Sequence, residues 1–325
     1  MRGRTPFSCM SRTPIAVPLA VAAALAVAAA PAAAQQVADT AFMPLLGAPA
    51  WPPGGGPRVA LDEAHHNFHT LEGRYLTFGR ILGADGFRVA PLRESFTPTA
   101  LDSVDVLVIA NALHASNVGT GAWRLPTPSA FTGAEIEAVR SWVERGGALL
   151  LIADHMPFPG AASALAAAFG FELRNGFAVE MGREPSGPFV FRRADGSLAD
   201  HPVTRGTSAD LRVDSVATFT GEALRAPPGA VSLLTLPRDI ESLEPDTAWV
   251  FHRPTPRKDV SGWSQGAVLE TGRGRVAIFG EAAMFSAQVD GARRTPMGMN
   301  MPLAAHNPRL LVNLLRWLAA AGGSS

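Results

Sequence analysis

The run Phe131-Thr-Gly-Ala-Glu-Ile-Glu-Ala-Val-Arg-Ser-Trp-Val-Glu-Arg-Gly-Gly-Ala-Leu-Leu-Leu-Ile-Ala-Asp-His-Met-Pro157 decides the fold. Thr132 is a good N-cap, and Glu135 three residues later completes a capping box. The helix so opened runs to Arg145 and stops at Gly146-Gly147. An apolar strand over 148–153 follows, and Asp154-His155 comes directly after it. Helix, glycine stop, buried strand and polar cluster form one unit.

That unit recurs. Arg58-Val-Ala-Leu61 runs into Asp62-Glu63-Ala-His65-His66-Asn67-Phe-His69. Val104–Ala110 runs into Asn111-Ala-Leu-His114, and Arg275–Gly280 runs into Glu281 and on to Gln288. Between the first two strands, Tyr75, Leu76, Phe78, Ile81 and Leu82 make a helical stripe over 73–83, and Asp85-Gly86 turns into a short strand over 87–90. An Ala-rich helix is expected over 159–169 and a terminal amphipathic helix over 307–320. Strands alternating with helices imply right-handed βαβ crossovers and a mostly parallel sheet. Ligands of such sheets bind beyond the carboxyl ends of the strands, where all four polar clusters would lie.

Residues 171–245 break the rhythm. Phe189-Val-Phe-Arg192 and Ser215–Thr220 alternate like antiparallel strands, with Asp195-Gly196 as a hairpin signal. This region reads as an antiparallel insertion or extension, and 248–251 with 266–270 as a further hairpin. Residues 58–322, this region included, read as a single α/β domain.

Residues 1–34 have the form of a secretory signal. Arg2, Arg4 and Arg12 precede an apolar Ala/Val/Leu stretch over 15–30, and Ala32-Ala33-Ala34 supplies a small-residue cleavage pattern. The expectation is an exported protein, periplasmic or extracellular, with no membrane span. The Pro/Gly-rich 35–57 is expected to be a loosely ordered leader. Cys9 is the one cysteine of the chain, so cleavage leaves no thiol nucleophile, thiolate ligand or disulfide. Removing Arg2, Arg4 and Arg12 also leaves 25 basic against 28 acidic residues. With no basic stripe, nucleic acid is not an expected partner.

The layout resembles the class I glutamine amidotransferase-like superfamily, and within it the ThuA-like and GldG-type branches. The matching residues are Val59–His65, Gly86-Phe-Arg-Val89, Val104-Asp-Val-Leu-Val108, Phe131–Glu135, Trp142–Leu150, Gly272-Arg-Gly274-Arg275-Val276 and Glu281. The resemblance implies a flavodoxin-like three-layer sandwich. The superfamily's Cys-His-Glu triad is not matched: the elbow after strand 148–153 reads Ala153-Asp154-His155-Met156-Pro157, with no cysteine and no G-x-S-x-G. Amidotransferase activity is therefore excluded.

Two kinds of chemistry are open at the rim. Imidazole with carboxylate is the donor mixture of Zn²⁺, Mn²⁺ or Fe²⁺ sites, with His65, His69, His155 and Glu281 as ligands. Asp62, Glu63, His66, Asp154, His155 and Glu281 are equally suited to acid–base catalysis. The expected function is a hydrolase or lyase of a small molecule, carbohydrate-derived if the ThuA likeness extends to substrate. The alternative is a non-catalytic ligand-binding or assembly module. Each rim residue also has a structural reading, as a helix cap or a loop anchor.

Overall fold

The computed structural model describes residues 36–120, 122–183, 187–291 and 293–322. The expected export signal lies outside them. Among the described residues no helix is long and apolar enough to cross a membrane.

The centre of the sheet consists of β1 (Arg58–Asp62), β2 (Arg88–Leu92), β3 (Val106–Ala110), β4 (Ala148–Ile152) and β5 (Gly274–Phe279). They lie in the order β2-β1-β3-β4-β5, and every neighbouring pair is parallel. Among the described residues the longer helices are α1 (Leu76–Ala84), α2 (Gly133–Glu144), α3 (Phe158–Ala167) and α4 (Asn307–Ala319). β3 and β4 are buried at every position. Burial on both faces is why their sequences read as unbroken apolar runs. Ala148, Leu150 and Ile152 of β4 share a core with Phe78, Ile81 and Leu82 of α1 and with Leu310, Leu311 and Leu314 of α4. Leu149 and Leu151 share the other core with Val139, Trp142 and Val143 of α2 and Leu165 of α3. Helices therefore cover both faces of the sheet.

The capping box of α2 is formed: the Glu135 N–H donates to Thr132 Oγ1 at 3.3 Å, and Glu135 Oε2 accepts the Thr132 N–H at 2.9 Å. The chain leaves this helix through Gly146 at φ 120°, a conformation side-chain-bearing residues rarely adopt.

Beyond β5 the sheet continues in antiparallel fashion. Ser264–Thr271 pairs with β5 and with Val231–Thr235 and Leu224–Arg225, and Glu172–Leu173 forms the outermost strand. Phe177–Glu180, Ile240–Leu243 and Arg257–Asp259 form a separate antiparallel sheet, and Phe189–Arg192 pairs with Ser215–Thr218. The expected hairpin of 248–251 with 266–270 does not form. Residues 266–271 take β5 as partner, while Trp249 sits in a turn at φ 66°. Asp195-Gly196 does turn the chain, but Leu198 then bridges Leu234, so Phe189–Arg192 takes a later partner.

The segment expected to be a loose leader is instead anchored from residue 36 onward. Val37–Ala38 pairs with Ala287–Asp290, and Trp51 packs edge-on against Phe87 with ring centroids 4.7 Å apart. The N–H groups of Trp51 and Gly56 donate to the carbonyls of Asp85 and Gly86. Partial burial of one indole and pairing of backbone groups outweigh the Pro/Gly composition.

A candidate acid–base cleft at the strand ends

β1, β3, β4 and β5 end at one edge of the sheet, and residues after all four meet, Ala283 and Gln288 coming from the segment after β5. His69, Asn111, Asp154 and His155 line a cleft of about 240 Å³ together with Phe68, Arg74, Trp123, Phe158, Thr220 and Trp249. Asn111 organises it. Its φ of 56° is one that asparagine tolerates better than most residues, and its backbone is held by Ile152 O and by the Phe68 N–H. Its side-chain Oδ1 accepts the Asp154 N–H at 2.9 Å, which assigns the amide's orientation because a backbone N–H only donates. Nδ2 therefore donates to Nδ1 of His69, 3.3 Å away.

Two tautomers follow. His69 accepts at Nδ1, so its proton resides on Nε2. Burial, then the positive charge of Arg74 and the nearby His155, lower its pKa to about 3, and the ring stays neutral. His155 is the reverse: Nδ1 lies 2.7 Å from the Met156 carbonyl and donates to it, so the neutral form of the ring has its lone pair on Nε2. Its ring lies parallel to Phe177, with centroids 4.9 Å apart, and meets Trp249 edge-on at 4.5 Å. The cleft thus holds one imidazole that donates and one that accepts.

Asp154 adds a carboxyl group. Oδ1 accepts the His155 N–H at 2.9 Å and the Thr220 hydroxyl at 3.4 Å. Burial raises its pKa, opposed by His155 and the backbone donors. Glu281 is wholly enclosed, and burial followed by the charge of Asp154 raises its pKa as well. The two carboxyls thus favour holding a proton between them. Glu281 is not in the cleft wall: its oxygens accept the N–H groups of Ala283 and Met284 at 2.9 and 2.7 Å, capping the turn Ala283–Phe285. Thr220 reaches Asp154 because the loop presses against the end of β5. A Cβ on Gly221 would lie 2.2 Å from the Gly280 carbonyl oxygen.

The first rim segment divides. Phe68 and His69 enter the cleft, and His69 is the titratable one. His65 is clamped between Asp62 (2.9 Å at Nδ1) and Glu135 (2.9 Å at Nε2), with Phe96 and Phe131 against its ring. Glu63 accepts the Leu71 N–H and pairs with Arg93. His66 is exposed and borders a neighbouring depression. Asp62, Glu63 and His65 are thus engaged in structural contacts.

The ligand set His65, His69, His155 and Glu281 is not assembled, and among the described residues no three His, Cys, Asp or Glu side chains form a group able to hold a metal. The donor chemistry explains it. Both nitrogens of His65 face carboxylates, and Glu281 is committed to backbone N–H groups. His69 carries its proton on the nitrogen a metal would need, since Nδ1 accepts from Asn111.

Sequence reasoning did not single out Arg74, Thr220 or Trp249 as site residues. Arg74 and Trp249 lie outside the strand-end clusters, and Thr220 comes from the region with the weakest pattern.

No family model and no curated protein matches the chain. Solved structures do. The mmIFT52 N-terminal domain is 14% identical, covering 80% of this chain and 97% of that one with a TM-score of 0.55. A ThuA-like protein of Bacteroides uniformis is 14% identical (85% and 94% covered, TM-score 0.43), and one of Parabacteroides merdae 11% (81% and 90%, TM-score 0.44). The chain shares its α/β fold with the mmIFT52 N-terminal domain, and its structural neighbours include ThuA-like proteins.

Proposed function

We propose that the chain is an exported, flavodoxin-like three-layer protein of the amidotransferase-like type, and that its cleft catalyses metal-free acid–base hydrolysis of a small polar, carbohydrate-derived molecule. The strand order β2-β1-β3-β4-β5 supports the flavodoxin-like assignment, since 2-1-3-4-5 is the order of that doubly wound class. The observation that carries the chemistry is the opposed pair of tautomers. His155 Nε2 takes a proton from water as its oxygen attacks the substrate. The Nε2–H of His69 donates to the oxygen on which charge develops, a neutral-imidazole role that a depressed pKa favours. Asp154, held towards its protonated form, returns a proton to the leaving oxygen. Trp123 and Trp249 supply flat apolar walls of the kind that stack on sugar rings.

A second reading, a ligand-binding module without turnover, draws support from the wall composition. It contains no serine or cysteine, and its one hydroxyl, Thr220, is directed at Asp154. The test is turnover of p-nitrophenyl esters, p-nitrophenyl glycosides and aldonolactones by the protein from residue 35 onward, with and without EDTA. Turnover indifferent to EDTA and reduced about 100-fold or more in His155→Phe supports the acid–base reading. Turnover that persists in His155→Phe, or that EDTA abolishes, overturns it; no turnover on any substrate leaves the binding module.

A further inference from the structure

Arg74 differs from four other half-buried arginines. Arg174, Arg193, Arg275 and Arg316 each hold a carboxylate, from Glu244, Asp200, Glu270 and Asp85 respectively. Arg74 makes no ion pair among the described residues, although burial is sufficient to lower its pKa. Its Nε donates to Gln288 Oε1 at 3.1 Å, and Gln288 is itself anchored, donating from Nε2 to Ser286 Oγ at 2.7 Å. The guanidinium carbon stands 4.1 Å from the centroid of the Phe68 ring. These contacts orient the group without neutralising it. Its two terminal nitrogens have no protein acceptor among the described residues, and the side chain stands in the wall common to the cleft and a depression of about 610 Å³ beside it.

The depression is donor-rich for the same reason. Asn117 lines it, is 6% exposed, and has a buried Nδ2 without an acceptor. The one acid among the lining residues is Glu72, which is exposed. A partly desolvated cation without a counter-ion carries a cost that an anionic partner relieves, and an arginine with Nε already engaged still presents two parallel N–H groups.

We propose that Arg74 receives the carboxylate of a small anionic ligand whose body lies in the cleft against Trp123 and Trp249. A planar guanidinium pairs with a planar carboxylate through two parallel hydrogen bonds, which a lysine cannot reproduce. The proposal rests on the reading of the cleft as a ligand site but requires no turnover. A protein that binds the acid and hydrolyses nothing contradicts the hydrolase reading alone.

The experiment is isothermal titration of the protein from residue 35 onward with D-glucuronate, D-glucose and inorganic phosphate, repeated on Arg74→Gln and Arg74→Lys. Glucuronate is expected to bind at least about tenfold more tightly than glucose, a difference that Arg74→Gln abolishes and Arg74→Lys retains only in part. Folding of both variants is checked by circular dichroism; Arg74→Lys keeps the charge and carries the test if the glutamine variant does not fold. Equal binding of the two sugars, binding of neither, or a preference untouched in Arg74→Gln or Arg74→Lys overturns the proposal. Phosphate bound as tightly as glucuronate overturns the assignment to a carboxylate.

Discussion

Asn111 sets the chemistry of His69: its Nδ2 donates to the ring Nδ1 at 3.3 Å while its Oδ1 is held by the backbone N–H of Asp154. The isosteric Asn111→Asp keeps the Oδ1 bond but replaces the donor with an acceptor. His69 must then carry its proton on Nδ1, and the carboxylate favours the imidazolium. The variant is expected to fold with a loss of about 1–3 kcal/mol. ¹⁵N NMR should show Nδ1 of His69 becoming protonated, and any turnover should fall about 100-fold. A His69 spectrum identical to wild type would show that Asn111 does not control the tautomer.

His155 and Leu150 separate function from packing. Leu150 is wholly buried in β4, and Leu150→Ala should cost about 2–5 kcal/mol in urea denaturation. His155 is also buried, at 8% exposure, so truncation to Ala would confound lost stacking with lost chemistry. His155→Phe keeps a ring against Phe177 and removes Nε2. It should cost less than about 1.5 kcal/mol while eliminating turnover. A loss as large as that of Leu150→Ala would identify His155 as a structural hydrogen-bonder.

The parallel strands and the helix over 133–144 were legible in the sequence because each has one dominant driving force. β3 and β4 are buried on both faces and so are apolar throughout, and Thr132 with Glu135 marks a helix start by local hydrogen bonding alone. The rim was legible as a place, since any residue just past β1, β3, β4 or β5 must lie at the same edge. Its division was not. Whether His65 or His69 faces the cleft depends on Glu135, 70 residues away from His65, and on Asn111, 42 residues away from His69. Trp249 enters through a turn, with no periodic pattern to mark it.

The His65 clamp has its own signature. Burial lowers the His65 pKa, but hydrogen bonds and charge from Asp62 and Glu135 outweigh it and the net direction is upward. Because the folded value is raised, the associated stability is complete below the ordinary histidine value of 6.5 and is lost as pH rises through the folded one. Glu135→Gln removes one of the two charges and disturbs the capping box. It should cost about 1–3 kcal/mol at pH 6 and lower the His65 midpoint followed by NMR titration. An unchanged midpoint would mean that Asp62 alone sets the charge of His65.

The pH dependence of stability should have two flanks of different origin. Burial raises Glu222 to about 8, although Ser242 Oγ and the Ala223 N–H each donate to it at 2.6 Å. A carboxyl raised in the folded state contributes stability in full below its unfolded value of 4.5 and loses it as pH climbs towards about 8. His69, lowered to about 3, acts in the opposite sense: its contribution is present above 6.5 and is lost as pH falls towards 3. Glu135, drawn down to about 2 by the Thr132 N–H and then His65 against its own burial, steepens the acid flank below 4.5. Maximum stability is therefore expected at mildly acidic pH. On the alkaline flank one proton corresponds to about 1.4 kcal/mol per pH unit. Glu222→Gln should flatten that flank by roughly 3 kcal/mol between pH 5.5 and 7.5, leaving the slope due to Asp154, Glu281 and His65. Urea midpoints at the two pH values measure it. A variant whose stability falls as steeply as wild type would show that Glu222 is already ionised in the folded protein.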